Sequence, residues 1–286
     1  MKKIKLYIFF LFIIINFETQ ADEFTFDEWK KKFKLIALER GVSLTTIENT
    51  IEKSIFLKDV IKYDRFQPEF YEDTKTYISK RANNKKVNSG LKIYKINKRT
   101  IDKISKEFSV DKNLLLSLMG IETNFGNYLG KMDIVSSLAT LSYDKRRSEF
   151  FTSELITLLI LFDKGIINPD NYLGSWAGAF GNFQFMPSTI KNYAMDYNKD
   201  ETINLKNIED SFASAANYLN KIGWDNNTPC FFKVELINET PGEYLNTSAK
   251  LIKHKHKISY LKKYIKNSEI LNNFDNLNAA LVTPDY

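Results

Sequence analysis

The chain has 286 residues, of which 43% are hydrophobic, 27% charged and 14% aromatic. That balance excludes a disordered polymer and allows a sizeable core. The net charge of +6 at pH 7 suits an anionic polymer or surface, and the single cysteine, Cys230, excludes an internal disulfide, so packing must hold the fold.

Residues 1–24 read MKKIKLYIFFLFIIINFETQADEF. A basic start (Lys2, Lys3, Lys5), an apolar run from Leu6 to Phe17 and small residues at Thr19 and Ala21 form the three-part pattern of a secretory signal over residues 1–21. The run is short for a membrane span, an uncleaved anchor is the alternative, and no cysteine near the cleavage point offers a lipid attachment site. Export, with the periplasm as destination, is the expectation. Removing this segment takes away three Lys and Glu18 and leaves about +4. Nucleic acid is a poor partner for an exported chain.

Residues 22–99 read as a charged helical region. FDEWKKKFKLIALERG puts Trp29, Phe33, Ile36 and Ala37 on one face and stops at Gly41. SLTTIENTIEKSI follows as a short helix, Pro68 breaks YDRFQPEF, and a second charged helix runs to about Lys86. No internal repeat period is visible. Residues 100–228 read as a helical core. Thr100 is placed to cap IDKISKEF and Asp111 to cap KNLLLSLMGIET. SEFFTSELITLLILFDKG is apolar nearly all round, as a central core helix should be. NYLGSWAGAFGNFQFMPS is glycine-rich, with Gly174, Gly178 and Gly181 allowing turns and close approach of a ligand, and Pro187 opens the next helix. Residues 229–286 turn to short alternating pieces such as CFFKVEL, which read as strands. The basic run KLIKHKHKISYLKKYIK reads as a solvated face, and His254 and His256 as bystanders lacking a third metal ligand. The fold class is therefore mainly α (α+β), with a small C-terminal β element.

Two stretches carry chemistry. In LLLSLMGIETNFGNYLGK, Leu115, Leu118 and Met119 precede Glu122 at helical offsets, which places this carboxylate in an apolar stripe near a helix C-terminus. Desolvation and the negative end of the helix dipole both disfavour its charged form, so its pKa should rise. A protonated carboxyl suits a general acid for glycosidic cleavage; a structural Glu bonded to backbone or to an Arg is the plainer alternative. In DYNKDETINLKNIED, Asp196, Asn198, Asp200 and Thr202 occupy positions 1, 3, 5 and 7 of a calcium-type loop. Glu201 stands where such loops have Gly, Asn207 stands at position 12, and Asp210 comes three residues later. An ordinary Asx-rich turn is the alternative.

GIETNFGNYLGK, SSLATLSYDKRRSEFF, GSWAGAFGNFQFMPST and INLKNIEDSFASAANYLNKIGW together resemble the lytic murein transglycosylase B family (glycoside hydrolase family 103), relatives of goose-type and phage lysozymes. The resemblance covers residues 60–235 or so, with weaker similarity on both sides. It implies a lysozyme-like core acting on peptidoglycan glycan strands, with Glu122 as the single catalytic acid/base. It further implies that Ser175 and Gln184 line the sugar groove, that Tyr218 lies near the catalytic Glu, and that Asp196, Asn198, Asp200, Thr202 and Asp210 hold Ca2+ in a loop longer than an EF-hand. No organic cofactor is implied, and partners among cell-wall synthesis or turnover proteins are left open. The reaction expected is cleavage of the β-1,4 bond from N-acetylmuramic acid to N-acetylglucosamine with formation of a 1,6-anhydro end. The family pattern usually runs on past LNAALVTPDY into a Tyr/Asn-containing stretch beside the groove, whereas this sequence stops at Tyr286. That difference keeps two alternatives open: a lysozyme-like hydrolase, or a catalytically weak peptidoglycan-binding protein.

Overall fold

The computed structural model describes residues 24–67, 73–168, 172–247 and 252–283. The signal pattern and Pro68 lie outside the described residues. Helix α1 (Phe26–Glu39) starts at a capping box: Thr25 Oγ1 accepts from Glu28 N–H at 3.2 Å, while Glu28 Oε2 accepts from Thr25 N–H at 2.7 Å. It ends before Gly41, whose φ of 85° suits a residue without Cβ. Helices α2 (Leu44–Asn49) and α3 (Lys58–Arg65) follow, and Asp73 caps α4 (Thr74–Arg81).

Helix α5 (Asn84–Phe108) corrects one expectation. Asn83 caps it, and it runs straight through Thr100, which therefore caps nothing. Its one irregularity is a kink at Asn97 (φ −110°, ψ 20°), where the side-chain Nδ2 donates to Ile93 O. The boundary expected between residues 99 and 100 thus falls inside a helix.

Asp111 does cap α6 (Lys112–Thr123), its Oδ1 accepting from Asn113 and Leu114 N–H. Strand β1 (Met132–Asp133) leads into α7 (Ile134–Tyr143), and α8 (Ser148–Asp163) packs against it. Every residue of α7 from Ile134 to Ser142 is buried, as are Phe151, Leu155, Leu158, Leu159 and Leu161 of α8. This pair is the centre of the molecule. Strand β2 (Leu173–Gly174), α9 (Pro187–Tyr193, with Pro187 in its first turn as expected) and α10 (Ile208–Lys221) complete the main body. One apolar core runs from Phe33 and Ile47 through Leu115 and Leu138 to Phe212 and Ala216, so the N-terminal helices and the central helices share it.

Polar pins hold the layers in register. Asp64, 2% exposed, accepts from Arg146 Nε at 2.6 Å and from Arg147, tying α3 to the turn between α7 and α8. Burial alone would raise its pKa, but the two guanidiniums outweigh that and hold it below the usual carboxylate range. Asp163 accepts from Ser43 N–H at 2.7 Å and Ser43 Oγ at 2.6 Å, joining the end of α8 to the start of α2.

A second, smaller core of Ile258, Leu261, Ile265, Leu271 and Leu281 belongs to the C-terminal part. Strands β3 (Leu245–Asn246) and β6 (Leu281–Val282) pair in parallel, and β4 (His256–Lys257) and β5 (Asn278–Ala279) pair antiparallel around the short α11 (Ile258–Leu261). The segment CFFKVEL is not a strand: it makes one isolated bridge, Leu236 to Ile265. Its alternation reflects Phe232, Val234 and Leu236 packing on the small core rather than ladder pairing. His254 and His256 sit in a cluster with Tyr244 and Tyr260, His256 stacking on Tyr260 at 4.8 Å.

Candidate active site

Glu122 lies in the last turn of α6. The buried face of this helix is Leu115, Leu116, Met119, Gly120 and Thr123, so the apolar stripe continues into Thr123 and leaves Glu122 beside it, open to solvent. That corrects the expectation of a carboxylate on the buried side. The electrostatic consequence survives: surrounding protein partly desolvates the carboxyl and raises its pKa, with no opposing charge. Among the described residues nothing donates a hydrogen bond to it or pairs with it.

The chain beyond Glu122 is tightly shaped. Asn124, Phe125 and Gly126 all take positive φ (49°, 60° and 82°). Thr123 Oγ1 accepts from Gly126 N–H at 3.1 Å, and Tyr128 N–H donates to Thr123 O at 2.9 Å. This loop runs edge to edge with the glycine-rich segment. Strands β1 and β2 pair Met132 with Gly174, and a Cβ on Gly130 (φ 89°) would fall 1.9 Å from Gly174 O, so only glycine allows that approach.

The structure brings Gln184 to the same seam. It takes φ 49°, and its Nε2 donates to Gly181 O at 3.0 Å and Leu129 O at 3.4 Å. Ser175 lies in the glycine-rich loop, where its Oγ accepts from Ala179 N–H at 3.0 Å and closes a local turn. Tyr218, on α10, packs its ring against Phe185 (5.9 Å), at the end of the same segment, and Tyr193 (5.1 Å) of α9. Two residues that motif reading passed over are prominent here. Thr123 is fully buried and donates Oγ1 to Asn182 O at 2.8 Å, and Asn182, 2% exposed, holds the glycine-rich segment from inside. The signal was present as lone polar residues at apolar positions, Thr123 four residues after Met119 and Asn182 within FGNFQF.

Of the carboxylates near Glu122 in sequence, Asp133 and Glu154 are already committed. Asp133 Oδ1 caps α7 through Ser136 N–H at 2.7 Å. Glu154, 5% exposed, accepts from Ser188 N–H at 2.8 Å and Ser188 Oγ at 2.6 Å at the start of α9. Glu149 is exposed in the first turn of α8.

The 196–210 loop is closed by its own acids. Asp196 accepts from the Asp200 and Glu201 amides, and Asp200 from Thr202 N–H and Oγ1 and from Asn198 Nδ2. Asp210, fully buried, accepts from Tyr197 N–H at 2.9 Å and Asn204 N–H at 2.8 Å, and among the described residues no basic side chain pairs with it. Glu201 takes φ 70° at the position usually given to Gly. Among the described residues no three His, Cys, Asp or Glu side chains converge on one point. The donor set is nonetheless all hard oxygen, and a buried carboxylate met by backbone amides and the Asn207 side-chain amide, all neutral donors, fits a Ca2+ ion in kind.

Comparison with known proteins places the chain in one group. The family model described as "Transglycosylase SLT domain" matches residues 25–285. A stretch of 139 residues, 48% of this chain, is 37% identical to the membrane-bound lytic murein transglycosylase B of Escherichia coli (strain K12) and spans only 38% of that protein's length. Among solved structures, SltB3 of Pseudomonas aeruginosa in complex with NAG-NAM-pentapeptide superposes with a TM-score of 0.82 at 26% identity, covering 91% of this chain and 70% of that one. The Escherichia coli lytic transglycosylase Slt35 in complex with calcium gives 0.70 at 27% identity, covering 84% and 76%.

Proposed function

The chain belongs to the transglycosylase SLT domain family, and from that premise we propose that it is a peptidoglycan lytic transglycosylase with Glu122 as its sole acid/base. The observation that carries this reading is the state of Glu122: partly desolvated, raised in pKa, unpaired, and set in the last turn of α6 just before a loop locked against the glycine-rich segment.

The chemistry follows from one carboxyl acting twice. Protonated Glu122 gives its proton to the oxygen between C1 of N-acetylmuramic acid and the next N-acetylglucosamine. The C1–O bond breaks, and positive charge develops at C1 and the ring oxygen. Glu122, now a carboxylate, takes the proton from the muramic C6 hydroxyl as that oxygen bonds to C1. The product is a 1,6-anhydro ring, Glu122 regains its proton, and no water is consumed. A retaining hydrolase needs a second carboxyl about 5–5.5 Å from the first. Asp133 and Glu154 are occupied with capping, which favours the one-carboxylate route. Gln184, Ser175 and Tyr218 are assigned to the groove that positions the sugar, and SltB3 with its bound NAG-NAM-pentapeptide supports glycan strands as the ligand.

Ca2+ is assigned to Asp196, Asn198, Asp200, Thr202 and Asp210, supported by the oxygen donor set and by Slt35 with calcium. When bound, it would neutralise the loop carboxylates and hold the loop closed. The signal-like residues 1–21 and the relative's membrane-bound description support an exported, periplasmic enzyme. Among the described residues no helix is long and apolar enough to cross a membrane.

The test is mass spectrometry of purified sacculi digested with wild type and with Glu122→Gln. Anhydro-ended muropeptides from wild type, reduced about 100-fold or more in the variant, are expected. Reducing ends in place of anhydro ends would favour the hydrolase, and products unchanged in the variant would remove Glu122 from its role.

A further inference from the structure

Asn182 stands where three segments meet. Its carbonyl accepts the Thr123 hydroxyl at 2.8 Å, one residue past Glu122. Its amide N–H donates to Leu205 O at 2.8 Å. Its side-chain Nδ2 lies 3.1 Å from Lys206 O, 3.2 Å from Asn207 O and 3.0 Å from Ser211 Oγ, a forked donor spanning the end of the acidic loop and the first turn of α10. Asn207 in turn caps α10 through Asp210 N–H at 2.8 Å, and Asp210 clamps the acidic loop. The side chain is buried, so its hydrogen bonds are made in a medium where leaving their partners unpaired is costly.

We propose that Asn182 is a positioning residue for Glu122, holding the end of α6 against the start of α10 and making the acidic loop part of the support of the acid/base. The Thr123 hydroxyl has two further contacts, Met119 O at 3.2 Å and Gly126 N–H, both within its own helix end and loop. Among the described residues, Asn182 O is therefore the hydroxyl's one hydrogen-bond partner outside α6 and the loop that follows it. Without the Asn182 side chain, residues 181–183 keep the backbone bond to Leu205 O, the Gln184 bonds to Gly181 O and the Phe183–Phe212 ring contact, but lose every side-chain hydrogen bond to Lys206, Asn207 and Ser211. The carbonyl that receives Thr123 loses its fixed place, and Glu122 moves with it. A displacement of about 1 Å in a reacting group costs on the order of 100-fold in rate. The ionisation of Glu122 responds as well, because a looser loop admits water and a better hydrated carboxyl gives up its proton at lower pH.

The proposal rests on Glu122 being the acid/base, and the experiment separates the two. Wild type, Asn182→Ala, Asn182→Ser, Glu122→Gln and Asp163→Asn are compared on a soluble uncrosslinked glycan strand, after circular dichroism and melting establish folding. Asp163→Asn is the reference for stability loss far from the site. For Asn182→Ala the expectation is a kcat lowered about 100-fold with KM changed less than about two-fold. The alkaline limb of its pH profile should move to lower pH. Asn182→Ser, which keeps one donor, should lie between Ala and wild type, and it decides the matter should the Ala variant not fold. Wild-type kcat and an unmoved alkaline limb in a folded Asn182 variant would overturn the proposal. So would a fall in kcat that Asp163→Asn matches with no movement of the limb. If Glu122→Gln keeps its activity, the reading of Glu122 falls and the proposal with it. If Glu122→Gln is inactive while the Asn182 variants behave as wild type, the proposal alone falls.

Discussion

The pKa of Glu122 is raised because protein replaces water around part of its carboxyl, and this has a cost in stability. Its pKa is higher in the folded state than in the unfolded chain. Below the ordinary carboxylate range both states are protonated, and Glu122 makes no difference. As pH rises through the unfolded-state value toward the folded-state value, the unfolded chain ionises first, so stability falls; above both values the deficit is constant. Glu122→Gln removes the deficit. Thermal melts should show the variant more stable than wild type near about pH 7 and indistinguishable near about pH 3. A variant less stable at neutral pH would mean that Glu122 makes a stabilising contact. The sequence allowed this residue to be found but misdirected its side chain. Leu115, Met119 and Thr123 form the four-residue ladder of the buried face, and Glu122, seven residues from Leu115, sits beside it. A stripe with a polar member at each of two adjacent positions does not say which one turns inward; the Asn182 carbonyl, distant in sequence, selects Thr123.

At the scale of elements, local chemistry was legible where it was self-contained. The Thr25–Glu28 box, the Asp111 cap and Pro187 in the first turn of α9 each depend on residues within a turn of one another. Thr100 misled because its neighbours on both sides are good helix formers and Asn83 supplied a cap much earlier; the kink at Asn97 bends α5 without ending it. CFFKVEL misled because alternation records one buried face and says nothing of a partner strand. The acidic loop lies between these cases. Its spacing was readable, but the late Asp210 acts through amides at Tyr197 and Asn204, a pairing that spacing cannot reveal. The loop acids are held by neutral amides and hydroxyls, and a bound Ca2+ would supply the positive charge they lack. Added calcium should therefore raise the melting temperature relative to EDTA, the gain reaching about 2.7 kcal/mol at a hundredfold excess over Kd. Asp196→Ala should abolish the increment, and an unchanged melting temperature would count against the metal.

At the scale of the molecule, one core unites the N-terminal helices with α6 to α10, and a second small core serves the C-terminal part. The helical class and the late β content were visible in composition and period; the sharing of one core across residue 100 was not, because it depends on α5 spanning both regions. The architecture sets Glu122, the glycine-rich segment and the acidic loop around one end of α6, with Asp133 and Glu154 spent on helix starts. In the proposed reaction the substrate's own C6 hydroxyl, rather than water, attacks C1. Digestion of peptidoglycan in water enriched in heavy oxygen tests that directly, with the label read at muramic C1 by mass spectrometry. The account predicts anhydro-ended products carrying no heavy oxygen. Label incorporated at C1 of the primary products, or the absence of any product from the wild-type chain, would contradict it.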